Sequence, residues 1–316
     1  MTADQALPGP AGEDAGEDQA RPGSGLGRVL GRLRRGGSPG PSERMRVLTA
    51  GGRTIRVSVR EGTAGWPPLL LCNGIGASLE LFQPFVDVLD PRRPVIRFDM
   101  PGIGGSPAPV VPYHLATLPS MLAGLLDELG YEQADVLGIS WGGGLAQQFA
   151  LSRPGRVRRL VLVATAPGAL MVPGRPWVLL RMLTPRRHRD PGYAAQVAGE
   201  LYGGSARKDP IVARDLLHAT TRLGPPRGYY YQLISMLGWT SLPFLPKLRP
   251  PTLILAGDDD PIIPVINARI MRWLIPRSRL HVYHGGHLEL AANPERLAAA
   301  VEPFLDADLT PEGNQQ

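Results

Sequence analysis

The chain has 316 residues, of which 43% are hydrophobic and 20% are charged. This length suits one large domain or two small ones, and the composition is typical of a soluble globular core and excludes a globally disordered chain. No apolar run approaches the roughly 20 residues of a membrane-spanning helix, so we expect no integral membrane association. A single cysteine, Cys72, excludes a disulfide framework and a multi-cysteine metal site.

The formal net charge of +6 is a weak indication of a nucleic-acid partner. All but Lys208 and Lys247 of the 34 basic residues are arginines, which fits a GC-rich genome better than selection for phosphate contacts. No nucleic-acid-binding module is recognisable, and we predict no such partner. The acidic stretch at 13–18 stands where a secretory signal would have its apolar segment, so we expect a cytoplasmic protein.

Composition divides the chain into segments. Residues 1–44 are mainly Gly, Pro, Ala and charged residues, which bury too little apolar surface to offset the entropy of ordering, so we predict a disordered arm. A short disordered tail is predicted at 307–316. Between them, 45–165 and 249–306 carry strands that alternate with helices, whereas 166–248 carries helical patterning alone.

The two core segments predict eight strands. Short runs rich in Val, Ile and Leu between turn residues are typical of strands, and Gly51-Gly52 predicts a hairpin between the first two. Helical spacing between the later strands predicts an α/β fold with a mostly parallel sheet flanked by helices. The predicted strands are Met45–Ala50, Arg53–Arg60, Pro68–Cys72, Pro94–Phe98, Ala134–Ile139, Leu160–Thr165, Thr252–Ala256 and Arg279–Tyr283.

The insertion at 166–248 is rich in aromatic residues. Two interpretations fit this composition: a helical lid over an apolar pocket, or a helical subdomain whose aromatic side chains only pack against one another. We favour the lid. The candidate pocket residues are Trp177, Tyr229, Tyr230, Tyr231 and Trp239.

The sequence Gly138-Ile139-Ser140-Trp141-Gly142 lies directly after a predicted strand and before a predicted helix. In a G-x-S-x-G motif the serine occupies a strained turn, and the glycines are required because side chains there would clash. The turn exposes the hydroxyl at the carboxyl end of the sheet, where the helix N-terminus stabilises negative charge. Ser140 is therefore the candidate nucleophile.

A serine hydroxyl needs a base, and His287 is the favoured candidate. It follows the last predicted strand in a glycine-rich loop, and His284 in the same loop is its rival. In the chain order Ser, acid, His, the orienting carboxylate comes from the triplet Asp258-Asp259-Asp260. Asp260 is favoured and Asp259 is second, and at least one of the three is expected to serve only as a turn residue.

The tetrahedral intermediate of an acyl transfer needs hydrogen-bond donors for its oxyanion. The backbone N–H of Trp141, the residue after the nucleophile, is one candidate. The second candidate is the N–H of Ile75, in the glycine-rich loop Asn73-Gly74-Ile75-Gly76 after the third strand.

These motifs together resemble the α/β-hydrolase superfamily, and more narrowly the intracellular poly(3-hydroxyalkanoate) depolymerases of the medium-chain-length type. The likeness covers about residues 45–305, the lid included, and the arginine-rich cluster near 186–189 departs from it. The residues that carry it are Leu70–Ala77, Asp99-x-Pro101-Gly102-x-Gly104, Gly138–Gly143 with Leu145–Ala150, Met171–Gly174, Gly228–Tyr230, Leu237–Ser241 and Ala256–Pro261.

The resemblance implies the α/β-hydrolase fold and a serine hydrolase that cleaves a storage polyester through a 3-hydroxyacyl-enzyme. It implies no metal and no organic cofactor, and contact with an intracellular granule surface is one option for its location. The alternative is a small-molecule carboxylesterase, lactonase or thioesterase on the same fold. A noncatalytic binding module is the remote third reading, which the retained nucleophile, acid and base disfavour.

Overall fold

The computed structural model describes residues 43–218 and 222–307. The first strand begins at Glu43, so residues 43 and 44, which were predicted to belong to the disordered arm, are part of the sheet. The rest of the arm lies outside the described residues, and so does the predicted tail apart from Ala307.

The core is one sheet of eight strands in the order β1-β2-β4-β3-β5-β6-β7-β8. The hairpin strand β1 pairs antiparallel with β2, which pairs antiparallel with β4, and all other pairings are parallel. This confirms the predicted fold class. The strands are β1 Glu43–Ala50, β2 Arg53–Arg60, β3 Leu69–Cys72, β4 Val95–Phe98, β5 Ala134–Ile139, β6 Val157–Val163, β7 Thr252–Gly257 and β8 Ser278–Tyr283.

Helices cover both faces of the sheet. In β3 the side chain of Leu70 packs into one hydrophobic core while Leu69 and Leu71 pack into the other, which explains why this strand is apolar throughout. The helices are α1 Gln83–Val86, α2 Pro119–Glu128, α3 Trp141–Ser152, α4 Pro176–Met182, α5 Arg186–Arg189, α6 Pro191–Tyr202, α7 Gly204–Lys208, α8 Pro210–His218, α9 Pro226–Ser235, α10 Val265–Leu274, α11 Glu289–Ala292 and α12 Pro294–Asp306. None of those in the described ranges is long and apolar enough to cross a membrane.

The segment between β6 and β7, residues 166–248, is helical and is called the lid segment below. Helices α4 to α9 belong to it. Val178, Val197 and Leu201 build a small core of its own, which also takes in Ile262 and Leu288 from the loops after β7 and β8. The lid segment therefore packs directly on the loops at the carboxyl edge of the sheet.

Candidate active site

Ser140 occupies a strained turn between β5 and α3. Its φ is 53° and its ψ is −120°, a conformation that costs a non-glycine residue of order 1–3 kcal/mol. The turn is fixed by hydrogen bonds from the Ser140 N–H to Val163 O (2.9 Å) and from the Thr165 hydroxyl to Ser140 O (2.7 Å). A Cβ atom at Gly142 would lie 2.1 Å from the carbonyl oxygen of Cys72, so only glycine fits beside the serine.

Asp260 and His287 form a buried pair. The Nδ1 of His287 lies 2.7 Å from Oδ2 of Asp260, and both side chains are almost completely buried. The second carboxylate oxygen of Asp260 accepts the backbone N–H groups of Ile262 and Ile263 at 2.9 and 3.0 Å. These contacts orient the carboxylate and leave Nε2 as the imidazole nitrogen that is available to a hydroxyl.

The other two aspartates of the triplet have separate partners. Asp258 contacts His284 at 3.0 Å on the surface, and this hydrogen bond lowers the pKa of Asp258. Asp259 accepts hydrogen bonds from Arg207 and from the N–H of Gly204 in the lid segment, which lower its pKa against the opposing effect of burial. The structure thus brings Asp260, rather than Asp259, to His287.

Ser140 and His287 line one narrow cavity of about 30 Å³, room for one or two water molecules. Ile75 from the loop after β3 also lines it. The walls contributed by the lid segment are the side chains of Met182, Arg187, His188, Tyr202 and Leu217.

This set of lid residues corrects the predicted pocket wall. Trp177 and Tyr230 are 48% and 41% exposed, and the Tyr231 hydroxyl donates to Val110 O at the surface. Trp239 is buried, but its indole N–H donates to Gln148 of α3, so it packs the base of the lid segment. Tyr229 stands behind the cavity, where its hydroxyl accepts a hydrogen bond from Arg187.

The two candidate oxyanion donors belong to backbone segments next to Ser140. Trp141 is the first residue of α3, so its backbone N–H has no partner within the helix. A Cβ atom at Gly74 would lie 3.7 Å from Cβ of Ser140, which places the loop of Ile75 against the serine.

Gln232 of α9, which the sequence analysis did not single out, contacts both the loop of Ile75 and Trp141. Its Oε1 accepts the N–H of Gly76 at 2.7 Å, and its backbone carbonyl accepts the indole N–H of Trp141 at 3.0 Å. Only the contact across the fold reveals this role, because an isolated glutamine in a helix carries no sequence signal.

Arg187 and His188 were likewise not predicted as site residues. Both are buried, and burial with the adjacent arginine charge holds the pKa of His188 well below its usual value. Burial lowers the pKa of Arg187, but the Tyr202 and Tyr229 hydroxyls outweigh this effect, and its pKa is raised above the usual value. Among residues 43–218 and 222–307, no group of three or more His, Cys, Asp or Glu side chains is placed to hold a metal ion.

Comparison with known proteins agrees with this geometry. The family described as "alpha/beta hydrolase fold" matches residues 67–293. A poly(3-hydroxyalkanoate) depolymerase from Ectopseudomonas oleovorans is 48% identical over 83% of this chain and 93% of its own. A 3-oxoadipate enol-lactonase from Acinetobacter baylyi is 28% identical over 77% of this chain and 90% of its own. The structure of a thermophilic esterase from Thermogutta terrifontis superposes with a TM-score of 0.70 at 26% identity, covering 84% of this chain and all of that one.

The chain therefore belongs to the α/β-hydrolase family. Within that family it is similar over most of its length to a poly(3-hydroxyalkanoate) depolymerase, as the sequence motifs predicted.

Proposed function

We propose that the protein is a serine hydrolase that cleaves the ester bonds of poly(3-hydroxyalkanoate). The observation that carries the proposal is the shared cavity of Ser140 and His287, with Asp260 buried behind the imidazole, in a chain 48% identical to a depolymerase. These three residues form the proposed catalytic triad.

In the first half of the reaction, Oγ of Ser140 attacks the ester carbonyl carbon while Nε2 of His287 takes the hydroxyl proton. The negative charge that develops on the carbonyl oxygen is stabilised by the N–H groups of Ile75 and Trp141. The C–O bond then breaks, and His287 gives its proton to the departing oxygen, which becomes the hydroxyl of the released chain. A 3-hydroxyacyl-enzyme on Ser140 remains.

In the second half, water attacks the acyl carbonyl while His287 takes one of its protons. The bond to Ser140 breaks, His287 returns the proton to Oγ, and the free acid leaves. The Asp260 carboxylate stabilises the imidazolium that forms at each step.

The cavity walls favour polyesters with apolar side chains. Met182, Leu217 and Leu288 offer an apolar surface beside Ser140, and each methylene buried there contributes roughly 0.8 kcal/mol. A volume of about 30 Å³ does not hold such a chain, so the lid segment has to move for the polymer to enter. Substrates of the medium-chain-length type are the ones that use this surface best.

Two exposed apolar stripes on the lid segment support binding at a polyester granule in the cytoplasm. Trp177, Leu180 and Leu183 project from α4 and its end, and Tyr230, Ile234 and Leu237 follow helical spacing on α9 and its end. Apolar side chains exposed at such spacing mark contact surfaces. A Leu180→Glu/Leu237→Glu protein should cosediment less with polyester particles, whereas Val47→Glu on β1 should cosediment normally.

A small-ester hydrolase is the second candidate, and the 28% identity to an enol-lactonase favours it. Purified full-length protein should be given colloidal medium-chain polyester, short-chain polyester and p-nitrophenyl esters. We expect release of 3-hydroxy acids from the medium-chain polymer, and none from a folded Ser140→Ala protein. Hydrolysis of the p-nitrophenyl esters alone would establish the second candidate instead.

A further inference from the structure

Arg187 presents a buried positive charge without a negative partner. Its side chain is 2% exposed, and no carboxylate in the described ranges lies within salt-bridge distance of it. Its hydrogen bonds go to neutral acceptors, the hydroxyls of Tyr229 and Tyr202 and the carbonyl of Thr184, and its Nε has no partner. A buried cation is ordinarily paired, so this arrangement indicates a site for an anion that arrives from outside.

His188 adds a second polar group at the same place. It is 5% exposed, and its buried Nε2 makes no hydrogen bond of good geometry, although the backbone of Ile75 lies close enough to raise the pKa of the imidazole against the effect of burial. Its neighbours are the ring of Tyr229, with centroids 5.9 Å apart, and the loop at Gly76. Buried polar atoms without a partner are rare in folded proteins and call for a specific explanation.

Both side chains line the cavity that contains Ser140 and His287. An anion bound by Arg187 and His188 would therefore belong to the same molecule as the ester bond that reaches Ser140. A guanidinium offers a planar fork of N–H donors that matches a carboxylate, so the anion best suited to Arg187 is a carboxylate.

We propose that Arg187 and His188 bind the free terminal carboxylate of the substrate, so that the enzyme removes the last unit from the carboxyl end of a polyester chain or of a short oligomer. This inference rests on the proposed function. In a 3-hydroxyalkanoate chain the scissile carbonyl carbon and the terminal carboxylate are separated only by the ester oxygen and two carbon atoms. Because Arg187 and Ser140 line the same cavity, a carboxylate held by Arg187 brings the last ester bond toward Ser140 once the lid segment has moved to admit the chain.

The chemistry of the step follows from this placement. The terminal unit is the leaving group: its 3-oxygen receives the proton from His287 and departs as a free 3-hydroxy acid. The remainder of the chain stays on Ser140 as the acyl-enzyme until water releases it with a new terminal carboxylate. That carboxylate makes the shortened chain a substrate for the next cycle.

The test uses the dimer of 3-hydroxyoctanoate with its carboxylate free and the same dimer with that group capped as a neutral amide. Cleavage of the internal ester is followed by chromatography. We expect the wild-type protein to cleave the free acid with a kcat/KM roughly tenfold or more above that of the amide, the gain expected for a charge-assisted hydrogen bond. Equal rates on the two dimers would overturn the inference without any variant.

Substitutions then test whether Arg187 causes the preference for the free-acid dimer. Arg187→Met should bring the ratio of the two rates close to one, and Arg187→Lys, which keeps the charge but loses the fork, should leave an intermediate ratio. Arg189→Met is the matched control, because Arg189 is exposed and donates to Gly224 O. An unchanged ratio in Arg187→Met would remove Arg187 from the site.

The outcome is separable from that of the proposed function. If polymer is degraded but the two dimers react equally, the depolymerase proposal stands and the carboxylate site is wrong. If the polymer is not degraded but the free-acid dimer is cleaved faster than the amide, the carboxylate site is supported and the enzyme is a hydrolase of short oligomers.

Discussion

The backbone carbonyl of Gln232 accepts the indole N–H of Trp141, at 3.0 Å, from across the boundary between lid segment and sheet. The side chain of the same glutamine accepts the N–H of Gly76. One residue of α9 therefore fixes the positions of both elements that supply the proposed oxyanion donors.

Replacing Gln232 by Leu should lower kcat about tenfold or more, because a misplaced oxyanion donor loses part of its stabilisation. Since the oxyanion is common to all esters, p-nitrophenyl acetate and octanoate should be affected alike. Gln148→Leu removes a glutamine side chain that accepts the indole N–H of Trp239, away from the oxyanion donors, and should keep kcat within about twofold. A loss confined to KM would contradict this role for Gln232.

The aspartate triplet gives a second prediction. Asp260→Asn should lower kcat by about four orders of magnitude, because the imidazole loses both its orientation and its charge partner. Asp258→Asn should change kcat only a few-fold, since its partner His284 lies on the surface. Steady-state kinetics on a soluble ester measures both, and the reverse ranking would assign the acid to Asp258.

The turn of Ser140 gives a third prediction. Gly142→Ala forces a Cβ atom against the carbonyl oxygen of Cys72 and should lower the free energy of unfolding by about 1–3 kcal/mol, with loss of activity. Gly155→Ala is the control, because nothing lies within 4 Å of the added atom. Urea unfolding of the two variants measures the difference, and equal stabilities would show that the turn relaxes freely.

His188 gives a prediction of pH dependence. Its pKa in the folded protein lies well below the usual 6.5. Titration of His188 therefore leaves the free energy of unfolding unchanged above about pH 6.5. Below that value it lowers the free energy of unfolding by up to about 1.4 kcal/mol per pH unit. Unfolding free energies at about pH 7.5 and about pH 5.5 should differ less in His188→Gln than in the wild type.

The exposed His281 provides the comparison for this measurement. His281→Gln removes the same titratable group from the surface and should show the full wild-type difference between the two pH values. If both variants respond as the wild type does, then a proton on His188 does not destabilise the folded protein.

Local sequence predicted Ser140 because its motif, strand and helix are adjacent in the chain. The chain order and the loops also favoured Asp260 and His287, which the structure brings within 2.7 Å of each other. The separate partners of Asp258 and Asp259 depend on contacts that no spacing encodes. The three consecutive tyrosines at 229–231 point in different directions from one helix: Tyr229 is buried, Tyr230 is exposed, and Tyr231 is partly buried against the main core.

Charge patterning gave misleading signals in two places. The basic run at 186–189 is typical of an exposed surface, yet Arg187 and His188 are buried in it. The strand β6 begins at Val157, three residues before the predicted start at Leu160. The prediction missed these residues because Arg158 and Arg159 interrupt the apolar run. In the structure Arg158 pairs with the buried Asp135, and Arg159 lies over the ring of Phe304.

The lid segment is hydrogen-bonded to the loops that carry the candidate site. Tyr202 O accepts the N–H of His287, Gly204 N donates to Asp259, and Gln232 contacts Gly76. A chimera that takes its whole lid from another hydrolase to acquire a new substrate range would lose these contacts together with the old walls. Grafts limited to α4 keep these hydrogen bonds as well as Arg187 and His188, and they are the replacements that we expect to remain active.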